Sequence, residues 1–335
     1  MQAVIVAGGL GTRLRPLTFN RPKPLVPLLN RPQVLHVLER LPKAVDEVFL
    51  AVSYMADRVR DFVRETDLGR RVEVVEETTP LGTGGAVKNV GDRLEGTFAV
   101  YNGDVIDSLD VPKLLAFHRK RKAVATIALY EVEDPTPFGV VEIDQGRIRR
   151  FVEKPAPEAA PSRLINAGRY LFEPEVLDAI EAGRNVSMET DVFPKLTEKG
   201  LYGFPFDGYW SDAGTLHGFR TATALLLADG GAAVDPAANV SRARLDGAVL
   251  IAEGCVVAGR VGPDVVLGRG CRIDTATVSG STLLEGAQVE AGAAVKGSII
   301  GEDSTVGPGA TVEDSIIGDG VRVRKGRRVI RERMA

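Results

Sequence analysis

Gly8, Gly9 and Gly11 follow directly on the apolar run from Ala3 to Ala7, and Thr12, Arg13, Arg15 and Lys23 come close behind them. The apolar run reads as a buried strand that delivers the glycines into a tight loop. Such a loop offers bare backbone N–H groups that phosphate oxygens can approach. The cations behind it, with Lys23 bracketed by Pro22 and Pro24, are suited to charge on phosphoryl groups. Together they predict a site for a nucleoside triphosphate. Two common phosphate loops are excluded. The P-loop needs Gly-Lys-Ser/Thr, which is absent. A dinucleotide fingerprint begun at Gly9 and Gly11 meets Leu14 where its third glycine belongs.

The elements that must position this loop are legible as alternating patterns. Glu47–Ser53 and Thr97–Asn102 are short apolar runs suited to buried parallel strands. Between them Val34, Leu38 and Leu41 share one helical face, as do Val59, Phe62 and Val63. The alternation predicts an α/β domain whose ligands bind at the carboxyl ends of the strands. Both the glycine loop and Asn102-Gly103-Asp104 fall there. Phe138–Pro155, with Gly146 between two strand-like runs, predicts a small hairpin at the mouth of the site.

Small residues and turn formers near Asp229–Pro236 mark a boundary. Beyond it Val261, Leu267, Ile273, Val278, Leu284, Val289, Val295, Ile300, Val306, Val312, Ile317 and Val323 recur at steps of six or five. This is the hexapeptide pattern of a parallel β-helix, one aliphatic side chain pointing inward per short strand. The expected division is 1–228 catalytic, 229–239 linker and 240–335 β-helix.

The string from Gly8 to Thr18, G-G-x-G-T-R-L-x-P-L-T, with Pro22-Lys-Pro24, closely resembles the signature of the sugar-1-phosphate nucleotidylyltransferases. Ala51-Val-Ser-Tyr-Met55, Pro80-Leu-Gly-Thr-Gly-Gly85, Asn102-Gly-Asp-Val105, Phe138-Gly-Val-Val141, Arg150-Phe-Val-Glu-Lys-Pro155, Ile165-Asn-Ala-Gly168 and Val192-Phe-Pro194 extend the resemblance across the catalytic domain. It is closest to the branch that uses GTP and mannose-1-phosphate. The resemblance implies a Rossmann-like nucleotidyltransferase domain with a mixed, mostly parallel sheet, followed by a left-handed parallel β-helix of hexapeptide repeats. It also implies that a sugar phosphate oxygen attacks the α-phosphorus in line and pyrophosphate leaves, a reaction that needs position and charge neutralisation.

By the same resemblance, Gly8, Gly9, Gly11 and Thr12 cradle the triphosphate, which Arg13 and Lys23 neutralise. Asp104 and Asp212 hold Mg²⁺, which takes one or two carboxylates and completes its shell with phosphate and water. Glu153 holds sugar hydroxyls and Lys154 the sugar phosphate. Gly139, Asn166 and Gly168 line the sugar pocket, and the stretch with Glu77, Gly82 and Thr83 receives the base. Read without the resemblance, an aspartate at a strand end such as Asp104 is more often a turn former or helix cap, and Asp212, before a helix start, reads as a cap. Glu153–Lys154 is then an exposed ion pair of little worth. The glycines from 82 to 85 admit a flat ring, or equally make a loop before a helix from Ala86.

Glu77 carries a physical hint about the base. Relatives using thymidine nucleotides usually have glutamine there. A carboxylate only accepts hydrogen bonds. Guanine offers adjacent N1–H and N2–H₂ donors, whereas thymine and uracil place one donor between two acceptors. If Glu77 faces the base, GTP is favoured. Gly84-Gly85 stands where Ala-Gly is commoner in the family. Glucose-1-phosphate thymidylyl- or uridylyltransfer is the runner-up. A bifunctional enzyme with acetyl transfer on the β-helix and a non-catalytic sensor of nucleotide-sugars are the other readings. Acyltransferases on such a scaffold use a histidine base, and His36, His118 and His217 all precede the repeat. The sensor is disfavoured because Arg13, Lys23, Asp104 and Asp212 are all present.

The 335 residues suffice for two domains with real cores. A net charge of −3 with 44% hydrophobic residues gives no basis for nucleic-acid binding by bulk charge. Cys255 and Cys271 make no disulfide framework, so a reducing cytoplasm is expected. No signal peptide or membrane span is expected. The basic tail from Arg322 to Arg333 reads as a solvated cap on the last coil, or as an arm for an acidic partner. The flat sides and open end of a β-helix predict a homo-oligomer.

Overall fold

The computed structural model describes residues 1–335. The chain divides into two compact units, the first formed by Met1–Leu10 and Val34–Trp210, the second by Gly11–Gln33 and Ser211–Ala335. Contacts thus place the segment 11–33 with the C-terminal residues, a grouping that no local sequence pattern predicts.

The first unit is built on a nine-stranded sheet. Its strands are β1 (Gln2–Val6), β2 (Glu47–Val52), β3 (Arg71–Glu76), β4 (Phe98–Asn102), β5 (Ala125–Glu131), β6 (Gly139–Asp144), β7 (Arg147–Glu153), β8 (Leu164–Phe172) and β9 (Leu201–Pro205). They lie in the order β3-β2-β1-β4-β8-β5-β9-β7-β6. The sheet is mixed rather than mostly parallel. β3, β2, β1 and β4 are parallel. β8 then enters antiparallel to both β4 and β5. β6 and β7 form the expected hairpin. An apolar run does not encode strand direction, and the long β8 reverses it.

Helices α1 (Gln33–Arg40), α2 (Ala56–Glu65), α3 (Gly82–Lys88) and α4 (Val111–Arg121) alternate with these strands. Val34, Leu38 and Val59 are buried as their spacing predicts. α3 begins four residues before the expected start at Ala86. Gly84 and Gly85 donate N–H to the Val186 carbonyl, at 2.8 and 3.3 Å. A Cβ on Gly82 would stand 2.6 Å from the Val186 oxygen, and one on Gly85 2.7 Å from that of Arg184. Packing on the 184–186 backbone therefore overrides the poor helix propensity of glycine. The core of this unit joins Val4, Phe49, Val100, Tyr170, Phe172 and Phe193, the Tyr170 and Phe193 rings 5.3 Å apart.

The second unit contains a parallel coil. Thr282 pairs with Ile299, Ile299 with Ile316 and Ile316 with Arg333, a constant step of 17 residues. Two further columns of short parallel strands run through Val289, Val306 and Val323, and through Val295, Val312 and Val329. These residues are at most 1% exposed. The steps of six and five in the sequence are thus successive inward positions around one coil of 17. Helix α5 (Leu216–Leu226) precedes the coil, with Thr215 accepting the Gly218 N–H at its start.

Candidate functional site

Within the first unit, β1 and β4 end side by side, Val6 opposite Asn102. Gly103 donates its N–H to the Val6 carbonyl at 2.9 Å, so the Asp104 turn leaves the sheet beside Gly8. The Ser53 hydroxyl donates to the Gly8 carbonyl. A Cβ on Gly8 would lie 3.0 Å from Oε1 of Glu77, while Gly9 faces open space. Glu77 is 6% exposed and accepts the Leu81 N–H on Oε2 at 3.2 Å. Burial pushes its pKa up. Gly8 and Glu77 are therefore brought together, the glycine making room for the carboxylate.

Three residues outside the quoted motif roles hold the candidate residues in place within their own units. Arg169, 2% exposed on β8, donates to Asp107 Oδ2 at 2.7 Å and to the Asn102 and Val105 carbonyls at 2.7 and 2.6 Å. It ties down both ends of the turn that carries Asp104. The signal was available, a charge set in the apolar run Leu164–Phe172. Glu189 accepts the Thr83 hydroxyl at 2.8 Å, so Thr83 is engaged in holding α3 to the 187–189 segment. Gly214, in the second unit, is described below.

The expected sugar residues also assemble in the first unit. Asn166 accepts the Gly168 N–H at 3.0 Å and donates to the Tyr170 hydroxyl at 2.9 Å. Gly168 has φ of 70°, and a Cβ there would stand 2.7 Å from Asn102 Nδ2, so only glycine fits. Trp210 donates to the Ala167 carbonyl at 3.0 Å and meets Phe138 edge-on at 5.2 Å. A Cβ on Gly139 would come within 2.9 Å of Glu153 Oε2. Glu153 pairs with Lys154 through Oε1 at 3.2 Å, while its Oε2 is buried with no partner. Burial raises the Glu153 pKa. A buried acceptor without a donor is costly alone and fits a hydroxyl-bearing ligand.

Within the second unit the cations converge. Gly11 has φ of 63°, and a Cβ on it would be 2.8 Å from Thr18 Cγ2 and 3.2 Å from Lys23 Cβ. The Thr18 hydroxyl donates to the Gly11 carbonyl at 2.9 Å. Arg13 pairs with Asp212 at 3.4 Å, and Asp212 Oδ1 accepts the Gly214 N–H at 2.7 Å. A Cβ on Gly214 would lie 2.5 Å from Lys23 Nζ, 2.7 Å from Asp212 Oδ1 and 2.9 Å from an Arg13 terminal nitrogen. Gly214 thus leaves the space in which two cations meet one carboxylate. No group of three or more His, Cys, Asp or Glu is placed to cage a metal. Asp104, in the first unit, and Asp212, in the second, each offer the hard carboxylate oxygens that an ion such as Mg²⁺ takes one or two of.

This chain belongs to the nucleotidyl transferase family, whose model matches residues 2–229. A second model, described as the GMPPB C-terminal domain, matches residues 229–334. The mannose-1-phosphate guanylyltransferase of Mycobacterium tuberculosis (strain ATCC 25618 / H37Rv) is 40% identical over 303 residues, covering 87% of this chain and 82% of its own. Mannose-1-phosphate guanylyltransferase 1 of Arabidopsis thaliana is 39% identical over 307 residues, covering 87% and 83%. Among solved structures, HddC from Yersinia pseudotuberculosis complexed with GMP-PN has a TM-score of 0.57 at 31% identity, covering 66% of this chain and 97% of its own. A putative glucose-1-phosphate thymidylyltransferase from Bacillus anthracis has a TM-score of 0.61 at 26% identity, covering 67% and 94%. No helix is long and apolar enough to cross a membrane.

Proposed function

We propose that this chain transfers the guanylyl group of GTP to mannose-1-phosphate, giving GDP-mannose and pyrophosphate. The observation that carries the proposal is the meeting of Arg13 and Lys23 with the Asp212 carboxylate around Gly214. The relatives that match 87% of the chain are named for this reaction.

In this reading the backbone N–H groups of Gly8, Gly9, Gly11 and Thr12 hold the triphosphate, and Arg13 and Lys23 neutralise it. Lys154 holds the sugar phosphate in line with the α-phosphorus. Glu153 accepts sugar hydroxyls on its unpartnered Oε2, beside Gly139, Asn166 and Gly168. Gly82 and Thr83 support the base, and Glu77 accepts from guanine N1–H and N2–H₂. Asp104 and Asp212 hold a magnesium ion, whose charge compensates the developing charge on the phosphates. Residues 1–228 form the catalytic domain, 229–239 the linker, and 240–335 a left-handed β-helix of hexapeptide repeats. The enzyme works in the cytoplasm as a homo-oligomer joined through the β-helix.

The test is a panel of GTP, dTTP and UTP crossed with mannose- and glucose-1-phosphate, read by pyrophosphate release for the native chain and Glu77→Gln. GTP with mannose-1-phosphate is expected to turn over fastest. Glu77→Gln opposes an amide donor to a guanine donor, and an unpaired buried polar group costs about 1–3 kcal/mol. The ratio of kcat/KM for GTP over dTTP is expected to fall roughly tenfold. An unmoved ratio means that Glu77 does not face the base. Faster use of dTTP or UTP with glucose-1-phosphate transfers the assignment to that chemistry. No turnover with any pair leaves the sensing role.

A further inference from the structure

The segment carrying Arg13 and Lys23 is clamped to the last coils of its own unit. Arg21, 11% exposed, reaches Glu302 Oε1 and Asp319 Oδ2, each at 2.6 Å. Asp319 in turn accepts the Glu302 N–H on Oδ1 at 2.9 Å, which fixes the two acids to each other. Arg333 donates to the Thr12 carbonyl at 3.2 Å. Asn30 donates to the Leu267 carbonyl at 3.0 Å. Pro16 lies against Gly318, where a Cβ would be 3.0 Å from its Cγ. The other side of the cation cluster is held as well. Helix α5 follows Asp212, and its Arg220 pairs with Asp314 at 2.7 Å.

We infer that the C-terminal coil positions the phosphate-binding cations, with Arg21 as the positioning residue, so that the coil sets the affinity for the triphosphate. The inference rests on the assignment of Arg13 and Lys23 to the phosphates. Exposed ion pairs contribute little to stability. A guanidinium held between two carboxylates instead fixes geometry. Displacing a binding group by as little as an ångström is enough to lose most of its effect. The basic tail therefore has a task beyond capping the coil, since Arg333 grips the carbonyl next to Arg13.

The experiment compares Arg21→Ala, Glu302→Gln, Arg21→Glu and the exchanged pair Arg21→Glu with Glu302→Arg in the full chain. Inorganic pyrophosphate is titrated calorimetrically, KM is measured for GTP and mannose-1-phosphate, and melting is followed for each variant. Arg21→Ala is expected to weaken pyrophosphate and raise the KM for GTP about tenfold, with the KM for mannose-1-phosphate within about twofold. Glu302→Gln is the informative variant, because its carboxylate is 42% exposed and its removal is mild. It deletes a negative charge, so a field effect alone tightens anion binding; loss of the clamp weakens it. The exchanged pair moves the cation to position 302, where it faces Asp319 and the carboxylate now carried at position 21. It is expected to recover most of the affinity lost in Arg21→Glu. Tighter pyrophosphate binding by Glu302→Gln, failure of the exchange to recover, or equal loss for both substrates overturns the inference. Unchanged pyrophosphate binding in folded Arg21→Ala also overturns it. If no nucleotide and sugar phosphate turn over, the proposed reaction falls, while the pyrophosphate titrations still decide the role of Arg21.

Discussion

Asp212→Asn is expected to slow pyrophosphate release by roughly a hundredfold or more, with little change in melting temperature. The structure makes this substitution discriminating. Asp212 Oδ1 accepts the Gly214 N–H at 2.7 Å, and an asparagine carbonyl makes the same turn. If Asp212 were only a turn former, the amide would serve as well and the rate would hold. What the amide lacks is the charge that faces Arg13 at 3.4 Å and that a magnesium ion requires. Asp104→Asn is expected to behave alike, since Asp104 stands in the turn fixed by the Gly103–Val6 hydrogen bond. Single-turnover rates across a magnesium titration are the measurement. Near-normal rates for both variants at ordinary magnesium remove the two aspartates from the chemistry.

Much of this architecture was legible because it is local. The apolar run before Gly8, the hairpin around Gly146 and the aliphatic steps of six and five each follow from a period that neighbouring residues express. Non-local features stayed hidden. Arg21 and Glu302 pair across 281 residues, and no period records that segment 11–33 packs with the coil. The early start of α3 depends on the 184–186 backbone, so glycine spacing alone suggested a loop. The space that Gly214 leaves for Lys23 and Arg13 is equally a tertiary fact, although Asp212 two residues earlier was readable as a candidate. Glu153 was legible only through its Glu-Lys-Pro string; its unpartnered Oε2 is what distinguishes it from a surface ion pair.

Arg169→Met is expected to be among the most damaging single changes outside the phosphate site. The guanidinium and the Asp107 carboxylate are 3% and 6% exposed. Removing the cation leaves a buried charge unpaired, at a cost of about 3–5 kcal/mol, and leaves the Asn102 and Val105 carbonyls without their donor. Loss of stability alone does not show that Arg169 matters to the Asp104 turn, so a second variant separates the two effects. Asp107→Asn keeps the acceptor for the Leu109 N–H at 3.0 Å and removes the orphaned charge. Combined with Arg169→Met, it is expected to return much of the lost stability, because deleting both charges avoids the uncompensated one. The rate is expected to stay depressed by about tenfold or more, since the single side chain that bonds both the Asn102 and Val105 carbonyls, on either side of Asp104, is gone. Arg169→Lys keeps the charge but not the planar fork that reaches four acceptors, and an intermediate rate is expected. Denaturant melts and kcat on the same preparations read the two quantities apart. A double variant that regains both stability and rate together would show that Arg169 serves only to neutralise Asp107, and that the Asp104 turn holds its shape without it.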